Sequence, residues 1–267
     1  MALAPDGGIL TPETIDFYRR TIRLLRDGGL DFLLGGAYAF AVHAGIERHT
    51  KDLDVMVRPQ DAERALEIMA GAGYETRIVF PHWLGKAYCG DDFVDVIYSS
   101  GNGVGTIDDR WFRHARDAEM WGEPVRLVPP EEMIWHKAFV QERERFDGAD
   151  INHLLRAQAD RIDWPRLLDR FGPYWHVLLS HLVMFGFVYP GERHRIPSAV
   201  MHDLLERARA EAGEPGEPGI CRGPIISRGQ YLPDTLEWGL QDGRISGGHM
   251  TPEDVDTWTE AIGKDHG

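Results

Sequence analysis

The order of apolar and polar positions divides the chain into a mixed half followed by a helical half. Residues 12–27 place Ile15, Tyr18, Ile22 and Leu25 on one helical stripe, opened by Thr11-Pro12 and stopped by Gly28-Gly29. A short apolar run, residues 31–36, ends in the pair Gly35-Gly36 and reads as a strand. Residues 37–44 suit a small helix, 53–57 a strand, and 59–72 an amphipathic helix closed by Gly71-Ala-Gly73. Strands are predicted over residues 74–79, 86–89, 93–98 and 125–128, with a glycine-rich loop over 99–105. After Pro129-Pro130 the period turns helical, predicting helices over 131–140, 150–158, 164–171, 175–187 and 198–212. From Gly213 the composition shifts to glycine, proline and charge, which reads as a loop, and a last helix spans 251–262.

This pattern predicts an α/β (α+β) fold: a mixed β-sheet flanked by helices over residues 1–128, then a helical domain over 129–212. Residues 213–267 form a Gly/Pro-rich extension. At 267 residues, 43% of them hydrophobic, the chain can bury a substantial core. Its formal charge of -14 argues against a protein that wraps a nucleic-acid backbone unaided. That charge is compatible with an enzyme whose local positive charge comes from a bound cation. Two cysteines, Cys89 and Cys221, are too few for a disulfide framework or a tetrahedral zinc site, and they fit reduced thiols in a cytoplasmic protein. No signal peptide is predicted, and the richest apolar run, 177–188, is too short for a membrane span. The twelve histidines show no metal-binding spacing; His43, His136, His176 and His181 read as helix-face or core residues.

Candidate chemistry concentrates in the segment LLGGAYAFAVHAGIERHTKDLDVMV, residues 33–57. Alternate residues of a strand share a face, so Asp52 and Asp54 project together while Leu53 and Val55 turn to the buried side. Two adjacent carboxylates repel unless a cation sits between them. Hard oxygen ligands favour Mg²⁺ or Mn²⁺ over zinc. A third acid, Asp95, stands alone in the apolar run Phe93-Val-Asp95-Val-Ile and completes a triad if its strand lies beside the first. The bland alternatives are solvated acids on an edge strand for Asp52 and Asp54, and a surface acid for Asp95.

A glycine pair, a helix, Asp-hydrophobic-Asp and a later strand Asp together resemble the DNA polymerase β-like nucleotidyltransferase superfamily. The fuller string Gly35-Gly36…Gly45…Arg48…Thr50-Lys51-Asp52-Leu53-Asp54 is most similar to the antibiotic nucleotidyltransferases and to AbiEii-type bacterial nucleotidyltransferases linked to toxin–antitoxin systems. The resemblance covers about residues 30–155. It departs from the pattern where many members have Gly-Ser in place of Gly35-Gly36, and in a longer gap before Asp52. It implies that an acceptor hydroxyl attacks the α-phosphate of an NTP, with ATP the expected donor, and releases pyrophosphate. Asp52 and Asp54 would hold two ions and Asp95 the ion nearest the acceptor, with Asp95 also taking the acceptor's proton. Gly35 and Gly36 would cradle the β- and γ-phosphates. Arg48 and Lys51 would stabilise charge on the transferring group, and Lys137 would reach the triphosphate from the helical half.

Lys137, Arg145, Asp147 and Asp150 also resemble the Lys…Arg…Asp helix of the AbiEii-type proteins. For Lys137 and Arg145 a surface charge is the competing reading, and for Arg48 a simple ion pair. Arg222 and Arg228 in the glycine-rich tail read either as an anion site or as a solvated linker. The acceptor is expected to be a small molecule or a protein side chain; net acidity disfavours nucleic acid but leaves tRNA open. The competing function is a non-catalytic, antitoxin-like protein that keeps the fold and acts by binding a partner.

Overall fold

A computed structural model of the chain describes residues 10–47, 50 and 52–263. It divides into two compact units, Met1–Pro129 and Pro130–Gly267.

The described part of the first unit holds α1 (Pro12–Asp27), β1 (Leu33–Leu34), α2 (Gly36–Ala44), β2 (Asp52–Met56), α3 (Ala62–Gly71), β3 (Glu75–Phe80), β4 (Leu84–Cys89), β5 (Asp92–Ile97), α4 (Asp109–Arg113), β6 (Arg116–Met120) and β7 (Glu123–Leu127). The strands form one seven-stranded sheet in the order β3-β4-β5-β2-β1-β7-β6. Two pairings, β2 with β5 and β1 with β7, are parallel and the others antiparallel, so the sheet is mixed as the sequence predicts.

Helix α1 starts where the Thr11 side chain accepts a hydrogen bond from the Thr14 N–H and Pro12 fixes the first turn. Its buried stripe is Phe17, Tyr18, Thr21, Ile22 and Leu25, with Ile15 only half-buried, so the helix is rotated slightly from the expected face. The two faces of the sheet are sorted by strand alternation. Leu53, Val55, Val94 and Val96 are fully buried. Leu66 of α3 lies against Gly85, which pairs with Val96, so α3 covers that apolar face. The opposite face is left for Asp52, Asp54 and Asp95.

Strand β6 and the short helix α4 are absent from the sequence prediction. In β6, Arg116-Asp-Ala-Glu-Met, the strand lies at the sheet edge and alternates only between half-buried and exposed positions, so it carries no apolar signal.

The described part of the second unit holds α5 (Pro130–Ala138), α6 (Gly148–Gln158), α7 (Trp164–Phe171), α8 (Trp175–Val188) and α9 (Ser198–Glu211). These follow the predicted helices to within a few residues. The stretch Trp164–Val188 has the length and mean hydropathy, 1.2, of a membrane span. Gly172, at φ 45° and ψ −119°, breaks it into the shorter helices α7 and α8. Arg166 is buried between Glu131 (2.6 Å) and Glu132 (2.5 Å), and Arg170 also reaches Glu132 at 3.2 Å.

The tail is more ordered than its composition predicts. It contains β8 (Ile220–Cys221), α10 (Gly223–Ile226), α11 (Leu232–Leu236), β9 (Gln241–Asp242), α12 (Gly243–Ser246) and α13 (Pro252–Glu260). Glu142 gathers it, accepting hydrogen bonds from the Ser227 hydroxyl (2.8 Å) and the Arg228 N–H (3.1 Å). The Arg228 guanidinium lies 3.9 Å from the Trp258 ring centre, and Arg222 pairs with Glu217 at 2.9 Å. Both arginines are thus engaged within the unit itself.

Candidate active site

Parallel pairing of β2 with β5 sets Asp54 directly opposite Asp95, and Asp52 opposite Phe93. Residues paired across neighbouring strands point to the same face, so all three acids share one surface. One carboxylate oxygen from each of Asp52, Asp54 and Asp95 can be chosen so that all lie within 4.8 Å of one another. The convergence expected from sequence is therefore present.

Two further contacts orient these acids. The buried Thr50 hydroxyl donates to Asp52 Oδ1, and its Oγ also accepts the Asp52 N–H at 3.3 Å. On the far side of β5, Lys86 of β4 is the cross-strand partner of Asp95, with Nζ 3.3 Å from Asp95 Oδ1. The Lys86 side chain is only 6% exposed, and its ammonium also lies 4.3 Å from the centre of the Phe93 ring. Burial pushes the Asp95 carboxyl up to about 6 from its ordinary 3.8; Lys86 pulls it down, and the Asp52 charge pushes it up.

The glycine pair lies where the sequence puts it and has two distinct jobs. Gly35 caps α2 and donates its N–H to the Asp54 carbonyl at 3.0 Å. Gly36 opens α2 with φ +54°, and a Cβ there would fall 1.5 Å from Asp54 Oδ2. Gly35 offers no side-chain cap here, and a helix start of this kind presents N–H groups that suit an anion. Beside it stand Tyr18 and Tyr38, ring centres 5.8 Å apart, with Trp121 packed against both. Burial pushes the Tyr18 phenol up to about 12 and raises that of Tyr38 further, with the charges of Asp52 and Asp54 adding to both.

Arg48 and Lys51 lie outside the described residues. Lys137 belongs to the second unit, where Nζ is held between Asp147 (2.7 Å) and Asp150 (2.9 Å). Arg145 shares Asp147 at 3.1 Å, so this group forms an ion network linking α5 and α6. His43 is structural: its Nε2 meets the Val128 carbonyl at 2.8 Å.

Sequence reading missed Lys86, Tyr18 and Tyr38 as neighbours of the site. A signal for Lys86 did exist, as a lone basic residue in the otherwise uncharged strand Leu-Gly-Lys-Ala-Tyr-Cys. Tyr18 was legible only as part of the apolar stripe of α1, and Tyr38 carried no separate signal.

Among solved structures, the chain is similar to a nucleotidyltransferase-like protein from Paracoccidioides brasiliensis, at 15% identity and a TM-score of 0.48, covering 75% of this chain and 99% of that one. It is also similar to the antibiotic-resistance factor ANT(2'')-Ia, at 16% identity and a TM-score of 0.44, covering 63% of this chain and 96% of that one. A third is the lincosamide antibiotic adenylyltransferase LnuA, at 14% identity and a TM-score of 0.39, covering 54% and 96%. No curated protein matches the chain significantly. The family model described as "Uncharacterised nucleotidyltransferase" matches residues 18–174, more than half of the chain, and spans the glycine pair and all three acids. The chain belongs to this nucleotidyltransferase family and is a nucleotidyltransferase.

Proposed function

We propose that the chain transfers a nucleoside monophosphate from an NTP, ATP by expectation, to a hydroxyl of a small molecule or a protein, in a reaction that depends on Mg²⁺ or Mn²⁺. The observation that carries this reading is the meeting of three carboxylates beside the start of α2. The acceptor oxygen bonds to the α-phosphorus as the bond from that phosphorus to the α,β-bridging oxygen breaks, and pyrophosphate departs.

The donor set fits a hard divalent cation. Two oxygens bound to one Mg²⁺ stand at most about 4.2 Å apart, twice the usual ligand distance. The carboxylate oxygens, already within 4.8 Å of one another, need close by no more than about 0.6 Å to meet that span. Asp52, Asp54 and Asp95 would hold the ion or ions, which when bound supply Lewis acidity at the phosphoryl oxygens.

The chain's own residues carry the remaining work. Thr50 fixes the rotamer of Asp52, and Gly36 leaves room for Asp54 to face the same centre. The start of α2 supplies backbone N–H groups for the β- and γ-phosphates. Asp95, on the side of the triad away from the glycine pair, accepts the acceptor's proton. Arg48 and Lys51 are proposed to stabilise charge on the transferring group, on the strength of the motif alone.

The test is incubation with α-³²P-labelled ATP and Mg²⁺ against a panel of aminoglycosides, lincosamides, proteins and tRNA. Label transfer with pyrophosphate release, lost in Asp54→Asn, is the expected result. Nucleotide binding without transfer to any acceptor, unchanged by Asp54→Asn, would count against it.

A further inference from the structure

Lys86 is a cation that the motif does not account for. Its side chain is almost wholly buried, on the same sheet face as the triad and one strand beyond Asp95. Across the sheet the row runs Lys86, Asp95, Asp54, with each neighbouring pair in direct register. A buried ammonium is tolerated only with a partner, and Asp95 together with the Phe93 ring face supplies one. Conversely, three carboxylates this close repel one another without a nearby positive charge.

Resting on the reading that the triad holds divalent ions, we propose that Lys86 is a resident cation that charge-balances Asp95. The triad then stands assembled before any ion arrives, and ion loading depends on the nucleotide. Lys86 Nζ stands 3.3 Å from Asp95 Oδ1 as an ion pair from the β4 side, while β2 brings Asp54 into register on the other side of Asp95. The same ammonium repels an incoming divalent cation, so it weakens ion binding to the nucleotide-free protein. The negative charge of a triphosphate offsets that repulsion. Lys86 is therefore a positioning residue that couples ion loading to NTP binding.

The test is Mn²⁺ binding to the full chain at pH 8.5 without nucleotide, followed by calorimetry and by loss of the free-ion paramagnetic resonance signal. Lys86→Met removes the charge at similar volume and is expected to bind Mn²⁺ about tenfold or more tightly than wild type. Its melting temperature should also rise more on adding Mn²⁺ than that of wild type. Lys86→Arg keeps the charge and should stay close to wild type in both measurements. Equal or weaker Mn²⁺ binding by a folded Lys86→Met protein overturns the proposal. If Lys86→Met folds only when Mn²⁺ is present, the balancing role is upheld; if it folds in neither condition, Lys86→Gln is read by the same criteria. Asp54→Asn provides the separate control. Should wild type and Asp54→Asn bind Mn²⁺ alike with ATP present, the triad is not the ion site, and that reading fails whatever Lys86→Met does.

Discussion

Gly36 and Asp54 share one corner of the site so closely that a Cβ on the glycine would lie 1.5 Å from the aspartate's Oδ2. Gly36 also takes φ +54°, a backbone state that costs an L-residue roughly 1–2 kcal/mol. Gly36→Ala is therefore expected to lower stability by about that amount and to turn the Asp54 carboxylate away. Activity should fall more than stability does. Urea unfolding compared with Mn²⁺ affinity separates the two effects; full Mn²⁺ affinity in Gly36→Ala would refute the steric argument.

Replacing the acids singly should separate their roles. Asp52→Asn and Asp54→Asn remove charges proposed to hold the ions, and each is expected to reduce kcat about a hundredfold or more. Asp95→Asn should cut kcat similarly while leaving ATP binding within a few-fold of wild type, because its proposed work is on the acceptor side. Equilibrium binding of a fluorescent ATP analogue, alongside pyrophosphate release, reads both quantities.

Thr50 acts through Asp52 and has no direct part in the proposed chemistry. Thr50→Val keeps the shape and removes the hydroxyl that donates to Asp52 Oδ1. The expected loss is about tenfold in kcat/KM, equivalent to one hydrogen bond to a charged group. Thr50→Ser should restore most of it, an outcome that a purely packing role would not produce.

In the second unit, burial holds the imidazoles of both His181 and His249 below the ordinary 6.5, and each contributes a pH dependence. The His181 Nε2 meets the Ala138 carbonyl at 2.9 Å. A histidine with a lowered folded pKa stabilises the fold above its unfolded pKa, and that contribution is lost as pH falls through the folded value. The urea midpoint of this unit should therefore drop between pH 7.5 and pH 5. His181→Gln, which keeps an N–H donor and cannot titrate, should show a smaller drop.

Arg166 is a buried charge whose removal is costly to the fold. It lies between two almost fully buried glutamates, so Arg166→Met takes this cation from Glu131 and leaves Glu132 to Arg170. A loss of about 3–5 kcal/mol is expected, measured by denaturant unfolding. A loss under about 1 kcal/mol would show that the glutamates find another partner or take up protons at little cost.

Much of the site was legible because its signals are local. Alternation put Asp52 and Asp54 on one face, and the lone acid in Phe-Val-Asp-Val-Ile marked Asp95. Strand β6 was hidden because an edge strand with little buried surface needs no apolar pattern. The tail's short elements were hidden because Glu142, 85 positions before Ser227, provides the contacts that order them. The neighbours of the triad depend on sheet order, so neither Lys86 nor the tyrosine pair could be assigned from spacing alone.

The sequence by itself determined the mixed and helical halves, the glycine turn before α2 and the strand faces of the three acids. Each follows from the period of a helix or a strand, or from the freedom of one glycine. Only the tertiary structure decided that β5 lies beside β2 with Asp95 opposite Asp54, and that β4 brings a buried lysine to the other flank. Strand order and register are set by which apolar faces pack together over the whole sheet, and such long-range choices leave no periodic trace in the chain.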